Sequence, residues 1–217
     1  PAFAVGRTQS LLYFFAGLKR DGRLDSAHVV LDSPMAIETT ELYRRHRELF
    51  DKQTWDIINA GDTPLHFGGL QYSRSADESR ALNEIKDHII IIAGAGMMNG
   101  GRIQHHLRHN LWKPETTLLI VGFQAQGTLG RRIVDGAKRV RIMGEEIDVK
   151  AKVYTLGGLS AHADQSGLIE WATSLKGARP RVFLNHGEDG PRAKLRDQLK
   201  ERLDIKSELP AFGASFE

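Results

Sequence analysis

Cysteine is absent from the 217 residues. That excludes disulfides and any thiolate metal site, so a zinc ion here would have to rely on histidine and carboxylate ligands. The same absence fits a cytoplasmic location. Long hydrophobic runs are absent too: the longest, His88 to Ala95, is strand-sized, well short of the ~20 residues that span a bilayer. No membrane partner is expected. The N-terminal PAFAVGRTQ lacks a basic region followed by an apolar stretch, so no signal peptide is visible. An initiator methionine is also missing, and the chain enters strand-like sequence at once. We read this as a segment of a longer protein, the alternative being a deliberately trimmed polypeptide.

What is present is ordinary for a soluble globular protein, with 41% hydrophobic and 26% charged residues. A net charge of only +3 hides an uneven distribution. Between Gly100 and Arg141 stand Arg102, Arg108, Lys113, Arg131, Arg132, Lys138, Arg139 and Arg141, against only Glu115 and Asp135. A local cationic excess of that kind suits a polyanionic partner, although many such stretches are solvated faces.

The first half repeats one theme: a short apolar run, a turn bearing glycine, serine or aspartate, then an amphipathic helix. PAFAV leads into GRTQ and a helix with Leu11, Leu12, Phe14, Phe15 and Leu18 at helical spacing. HVVLD leads into Ser33 and Pro34, an N-cap followed by proline at the first helical position. HIIIIA leads into GAGMMNGGR and TLLIV into GFQAQGTLGRR. Ser75 and Glu78 have capping-box spacing and predict a helix to about Lys86. Apolar strands without polar alternation, separated by helices, predict an α/β fold with a parallel sheet covered on both faces. Ligands of such sheets collect beyond the carboxyl ends of the strands. The turns gather there with several helix N-termini, whose free N–H groups and dipoles favour phosphate.

After about Gly136 the pattern changes. KRVRIMGEEIDVKAKVYTL predicts two strands in a hairpin about Met143–Gly144–Glu145. There follow GLSAHADQ, a helix from about Gln165 to Leu175, the strand RVFLN, the turn HGED and a last helix, Pro191 to Leu203. His162 and His186 each stand just beyond an apolar run, 24 positions apart, so the strands before them could lie side by side. Neutral imidazole ligates metals, and its unperturbed pKa of ~6.5 suits proton transfer. His162 can thus be a ligand, a general acid or a loop capping residue, while Asp164 would cap the next helix in any case. Glu188 and Asp189 could orient an imidazole from behind or cap the helix after Pro191. His105 and His109 share a helix face, but no third ligand is near, and His106 fits a buried hydrogen-bonded role. Asp32 reads equally as a ligand-edge acid or a helix cap. A catalytic zinc usually takes three protein ligands and a water. No HxH pair with an accompanying aspartate and further histidine occurs in the chain.

AFAVGRTQ, LDSPMA, GAGMMNGGRIQHHL, VGFQAQGTLGRRIVDGA, GLSAHADQ and VFLNHGE stand in the order found in the β-CASP branch of the metallo-β-lactamase superfamily. Nearly end to end, the chain resembles those nucleic-acid-processing hydrolases. The resemblance implies a Rossmann-like β-CASP cap domain over 1–132 and, over 133–217, the C-terminal return of the chain into a metallo-β-lactamase domain. It implies that His162 lies by the scissile phosphate as a proton donor, with Asp164 in the same catalytic set. His186 would be a zinc ligand, with Glu188 behind it. The turns would face the RNA backbone through Gly6, Arg7, Ser33, Gly96, Gly100, Gly101, Arg102, Gln124, Gly127, Thr128 and Arg131. Ala95 stands where a serine is often found. The family's HxHxDH motif, later histidine, bridging aspartate and first acidic motif are not in this chain.

Taken with those departures, the resemblance implies part of a zinc-dependent RNA nuclease holding two zincs in the intact enzyme, with this portion inactive alone. Expected partners are RNA, an N-terminal metallo-β-lactamase segment and, because half a domain would be exposed, a second copy of the chain. The alternative is a non-catalytic RNA-binding or partner-docking subunit. A simple dinucleotide-binding enzyme is disfavoured, since no turn carries the fingerprint with its ribose-binding acid.

Overall fold

In the computed structural model all residues are described except Lys86, Asp87, Lys176, Arg179 and Glu217. The chain forms two compact units, Pro1–Leu159 and Ser160–Glu217.

The first unit is built on β-branched strands. β1 (His28–Asp32) lies between β2 (Leu70–Tyr72) and β3 (Ile89–Ala93), with all three parallel. Val29, Val30 and Leu31 of the central strand are fully buried, as expected of a strand covered on both faces. Against this sheet lies α1 (Arg7–Arg20), which buries Leu11, Leu12 and Ala16, sets Phe15 and Leu18 at the core's edge and leaves Phe14 outside. α2 (Pro34–Arg45) starts at Ser33, whose hydroxyl accepts the Ala36 N–H at 3.3 Å. Asp51 caps α3 (Lys52–Asn59) in the same way. α4 (Ala76–Ala81) has the expected capping box: the Ser75 hydroxyl accepts from the Glu78 N–H, and the Glu78 carboxylate accepts from the Ser75 N–H. It tightens into a 3₁₀ turn over Leu82–Glu84, and its expected end at Lys86 lies outside the described residues.

A second core joins α5 (Arg102–Asn110), β4 (Thr117–Ile120), α6 (Leu129–Val134), β5 (Arg139–Ile142), β6 (Glu145–Asp148) and β7 (Lys152–Thr155). β4 and β7 are parallel, whereas β5 and β6 form an antiparallel hairpin. Its two-residue turn has Met143 and Gly144 both at positive φ, 51° and 88°, the backbone that matches strand twist in short hairpins.

Two expectations need correction here. PAFAV is not a strand. Ala2 donates one backbone hydrogen bond to Ala93, but the chain turns at once, and the Phe3 carbonyl is taken by the Thr8 N–H and hydroxyl. The stretch after Gly144 is two strands rather than one, because beyond Asp148 the chain leaves the hairpin and β7 pairs with β4.

The second unit is slighter. α7 (Gln165–Thr173), β8 (Val182–Phe183), α8 (Asp189–Leu203) and β9 (Ser207–Glu208) surround a core of Ile169, Ala172, Leu199 and Ile205. β8 pairs with β9 over two residues in parallel. Thus the strands preceding the two histidines are each paired within their own unit, β7 with β4 and β8 with β9.

Candidate functional site

Because β1, β2 and β3 run parallel, Asp32, Tyr72 and Ala93 end at one edge of the sheet. The glycine-rich turns converge there through direct contacts. A Cβ on Gly94 would stand 3.7 Å from the Ser33 hydroxyl, joining the second and third turns. The Phe3 ring lies against the backbone of Gly96 and Gly122; a Cβ on Gly96 would come within 2.7 Å of it. Gln124 is buried and donates from its side-chain amide to the carbonyls of Gly96 at 3.0 Å and Gly122 at 3.1 Å, tying the third turn to the fourth.

Each turn is closed by its own polar groups. Gly6 donates its N–H to the Gln9 side chain at 2.7 Å. Gly101 sits at φ 76°, where a Cβ would meet the Gly94 carbonyl oxygen at 2.4 Å, so only glycine fits. Gly100 accepts from the Ala95 N–H. Thr128 caps α6 by accepting the Arg131 N–H at 3.1 Å, while its hydroxyl donates to Ala125. Asn99 accepts the Leu129 N–H at 2.8 Å. Gly127, at φ 80°, has open space where a Cβ would stand.

The three arginines of the rim differ in their commitments. Arg102 is anchored inward: its guanidinium donates to the Asp32 carboxylate at 2.6 Å and to the carbonyls of Ser73 and Arg74. The Arg131 Nε–H is shared between both carboxylate oxygens of Asp135, four residues on. The Arg7 side chain has no hydrogen-bond or ion-pair partner among the described residues, and its Nε is buried.

Beneath the rim lies a polar knot. Asp32 is fully buried and accepts from His106 Nε2 at 2.6 Å, Ser79 Oγ at 2.6 Å and Arg102. Burial pushes its carboxyl up, but the bonds from His106, Ser79 and Arg102 outweigh it and hold the group well below the usual carboxylate range. His106 is buried and its Nδ1 meets Asn83. Asp32 is thus neither a helix cap nor open to a ligand.

The cationic stretch is less exposed in charge than its composition implies. Arg108 pairs with Glu145, and Arg139 with Asp148 at 2.8 Å, while Arg141 stands 3.9 Å from Glu146. Those acids follow Arg141 in sequence; Glu146 lies opposite Arg141 and Asp148 opposite Arg139 across the hairpin, whereas Glu145 faces Ile142 and reaches Arg108 on α5.

In the second unit His162 is exposed and its backbone N–H donates to Ser160. Asp164 is the N-cap of α7, accepting the Gly167 N–H at 2.8 Å. His186 is exposed, at φ 59°, and Gly187 follows at φ 88°. Two successive left-handed residues swing the chain sharply from β8 towards α8. His186 lines an open depression of about 590 Å³ with Phe183, Asn185, Arg192 and the segment Pro210–Ala214. Arg192 braces this loop by donating to the carbonyls of Leu184 and Pro210. Glu188 is the N-cap residue of α8 and gives the helix no side-chain hydrogen bond.

No group of three or more His, Asp or Glu residues is placed to hold a metal among the described residues, and cysteine is absent. The donor set described does not by itself make a zinc site. Nor do His105 and His109 find a third ligand.

Comparison with known proteins decides the family. Residues 8–133, more than half of the chain, match the family model described as the Beta-Casp domain. The chain belongs to the β-CASP family. Residues 146–210 match a second model, the Zn-dependent metallo-hydrolase RNA specificity domain. Ribonuclease TTHA0252 of Thermus thermophilus is 42% identical over 189 residues, which is 87% of this chain and 42% of that protein. Transcription termination factor FttA of Methanosarcina mazei is 29% identical over 213 residues, 95% of this chain and 33% of the relative. The FttA of Methanocaldococcus jannaschii is 28% identical over 216 residues, covering 97% and 34%. The chain spans less than half the length of these relatives. No described helix is long and apolar enough to cross a membrane.

Two features escaped the sequence reading. The pairing of Asp32 with His106 and Arg102 crosses 70 or more positions; its signals are an acid ending an apolar strand and a histidine suited to a buried hydrogen-bonded role, neither of which names its partner. Asn99, which closes the start of α6, was marked only by being the polar residue in a glycine-rich turn.

Proposed function

We propose that this β-CASP chain is part of a zinc-dependent RNA nuclease that hydrolyses phosphodiesters, inactive as this portion alone. It grips the RNA backbone and contributes two histidines to the active site. The observation that carries the proposal is the convergence of four turns on one sheet edge, beside an Arg7 guanidinium that no other described side chain engages. A cation already desolvated on one side and lacking a protein partner is well suited to a phosphate.

In this reading residues 1–132 form the cap and 133–217 return to the metallo-β-lactamase domain. The phosphates run along Gly6–Arg7, Ser33, Gly96, Gly100–Gly101, Gln124, Gly127–Thr128 and Arg131, while Arg102 serves by anchoring the turn it begins. His162 gives a proton to the leaving oxygen as the phosphorus–oxygen bond breaks, and Asp164 fixes its loop by capping α7. His186 supplies one ligand to zinc, whose chemistry is to activate water and neutralise charge on the phosphate. Glu188 stands behind that imidazole. The remaining zinc ligands come from outside this chain.

In the intact protein, replacing His162 or His186 by alanine lowers RNA cleavage at least ~100-fold, two powers of ten in rate, without loss of RNA binding. Wild-type turnover in either variant rejects the roles given to them.

A further inference from the structure

The rim carries two aromatic rings that neither the cores nor the phosphate turns account for. Phe3 is 41% exposed and Phe123 66% exposed, and neither belongs to a described hydrophobic cluster. Yet Phe3 is held in place. Its carbonyl is fixed by the Thr8 N–H and hydroxyl, and its ring lies against Gly96, where a side chain would collide with it, and within contact distance of Gly122. Phe123 follows Gly122 directly, within the turn that Gln124 ties to Gly96. Both residues therefore belong to the turns that gather at the rim with Gly6, Arg7 and the glycine-rich backbone, and both are exposed there.

We propose that Phe3 and Phe123 form a stacking platform for unpaired nucleobases, so that this chain reads single-stranded RNA by its bases as well as its phosphates. The inference rests on the RNA-gripping function given above. A rigid aromatic face beside a cationic, N–H-rich turn is the arrangement that holds single strands with little sequence preference, since every base offers a π-face. A duplex keeps its bases stacked on one another and cannot use such a ring, so the platform selects unpaired substrate.

Binding of this chain to a fluorescently labelled single-stranded oligoribonucleotide, measured by anisotropy, is compared with binding to an abasic strand of equal length and to an RNA duplex. The wild-type chain binds the base-bearing strand about tenfold or more tighter than the abasic one, as expected for one or two stacked bases. Phe123→Ala closes most of that gap and leaves abasic binding unchanged, whereas Phe123→Trp retains it. Phe3→Leu, which keeps an apolar side chain against the two glycines, also narrows it. Equal wild-type affinity for base-bearing and abasic strands overturns the platform but leaves the phosphate grip standing. Failure to bind either strand overturns the RNA-binding function itself.

Discussion

The two units differ in how much interior supports their functional residues. In Pro1–Leu159 the rim stands over two apolar cores and a buried knot in which Asp32 serves His106, Ser79 and Arg102 together. In Ser160–Glu217 the two histidines stand on exposed turns over four buried apolar residues among those described. The difference teaches that the rim of glycine-rich turns is pre-organised from within, while the histidine turns depend on short-range devices: the Asp164 cap, the left-handed pair His186–Gly187 and the Arg192 brace. Small cores give little stability, and loops above them open locally at low cost.

The strongest way to break this comparison is to cut the knot. Asp32→Asn leaves the buried His106 and the half-buried Arg102 without their anion and costs about 3–5 kcal/mol, read by denaturant unfolding of the first unit. The wild-type carboxyl titrates below its unfolded value. Its stabilising contribution is therefore complete above about pH 4 and drains away as pH falls further. The variant loses that acid dependence. A variant as stable as wild type shows that the knot does not hold the rim.

Hydrogen exchange sharpens the contrast between the units. The slowest amides of α7 and α8 exchange through openings at least roughly 2 kcal/mol cheaper than those of β1 and β3, the worth of one fully buried aliphatic side chain. A common slowest rate in both units contradicts the distinction. The smallest effect is local: Thr128→Ala removes the α6 cap and costs about 1 kcal/mol, with loss of amide protection at Arg131 and in the Gln124–Gly127 turn. An unchanged protection pattern there assigns the turn's order to Gln124 and Asn99 instead.

Local rules made much of the first unit legible. The apolar spacing of Leu11, Leu12, Phe15 and Leu18, the Ser33 cap, the Ser75–Glu78 box and the Met143–Gly144 turn each depend on residues within a few positions of one another. What escaped was non-local. PAFAV has strand composition, but the demand of Thr8 for the Phe3 carbonyl bends it. LQY is a strand because β1 offers it a free edge, a fact three residues cannot announce. β7 leaves its hairpin for β4 because pairing depends on what stands beside it. Among site residues, the glycines of the turns were marked by backbone need. Whether an arginine is free or spoken for was not, since Arg7, Arg102 and Arg131 look alike until their partners from distant elements are known.

The β5–β6 hairpin has one more consequence. With Glu146 and Asp148 facing Arg141 and Arg139, its field is multipolar and fades within the Debye length of ~8 Å at physiological ionic strength. The long-range positive potential of this stretch therefore comes mainly from Arg132 and Lys138, whose side chains have no ion-pair partner among the described residues.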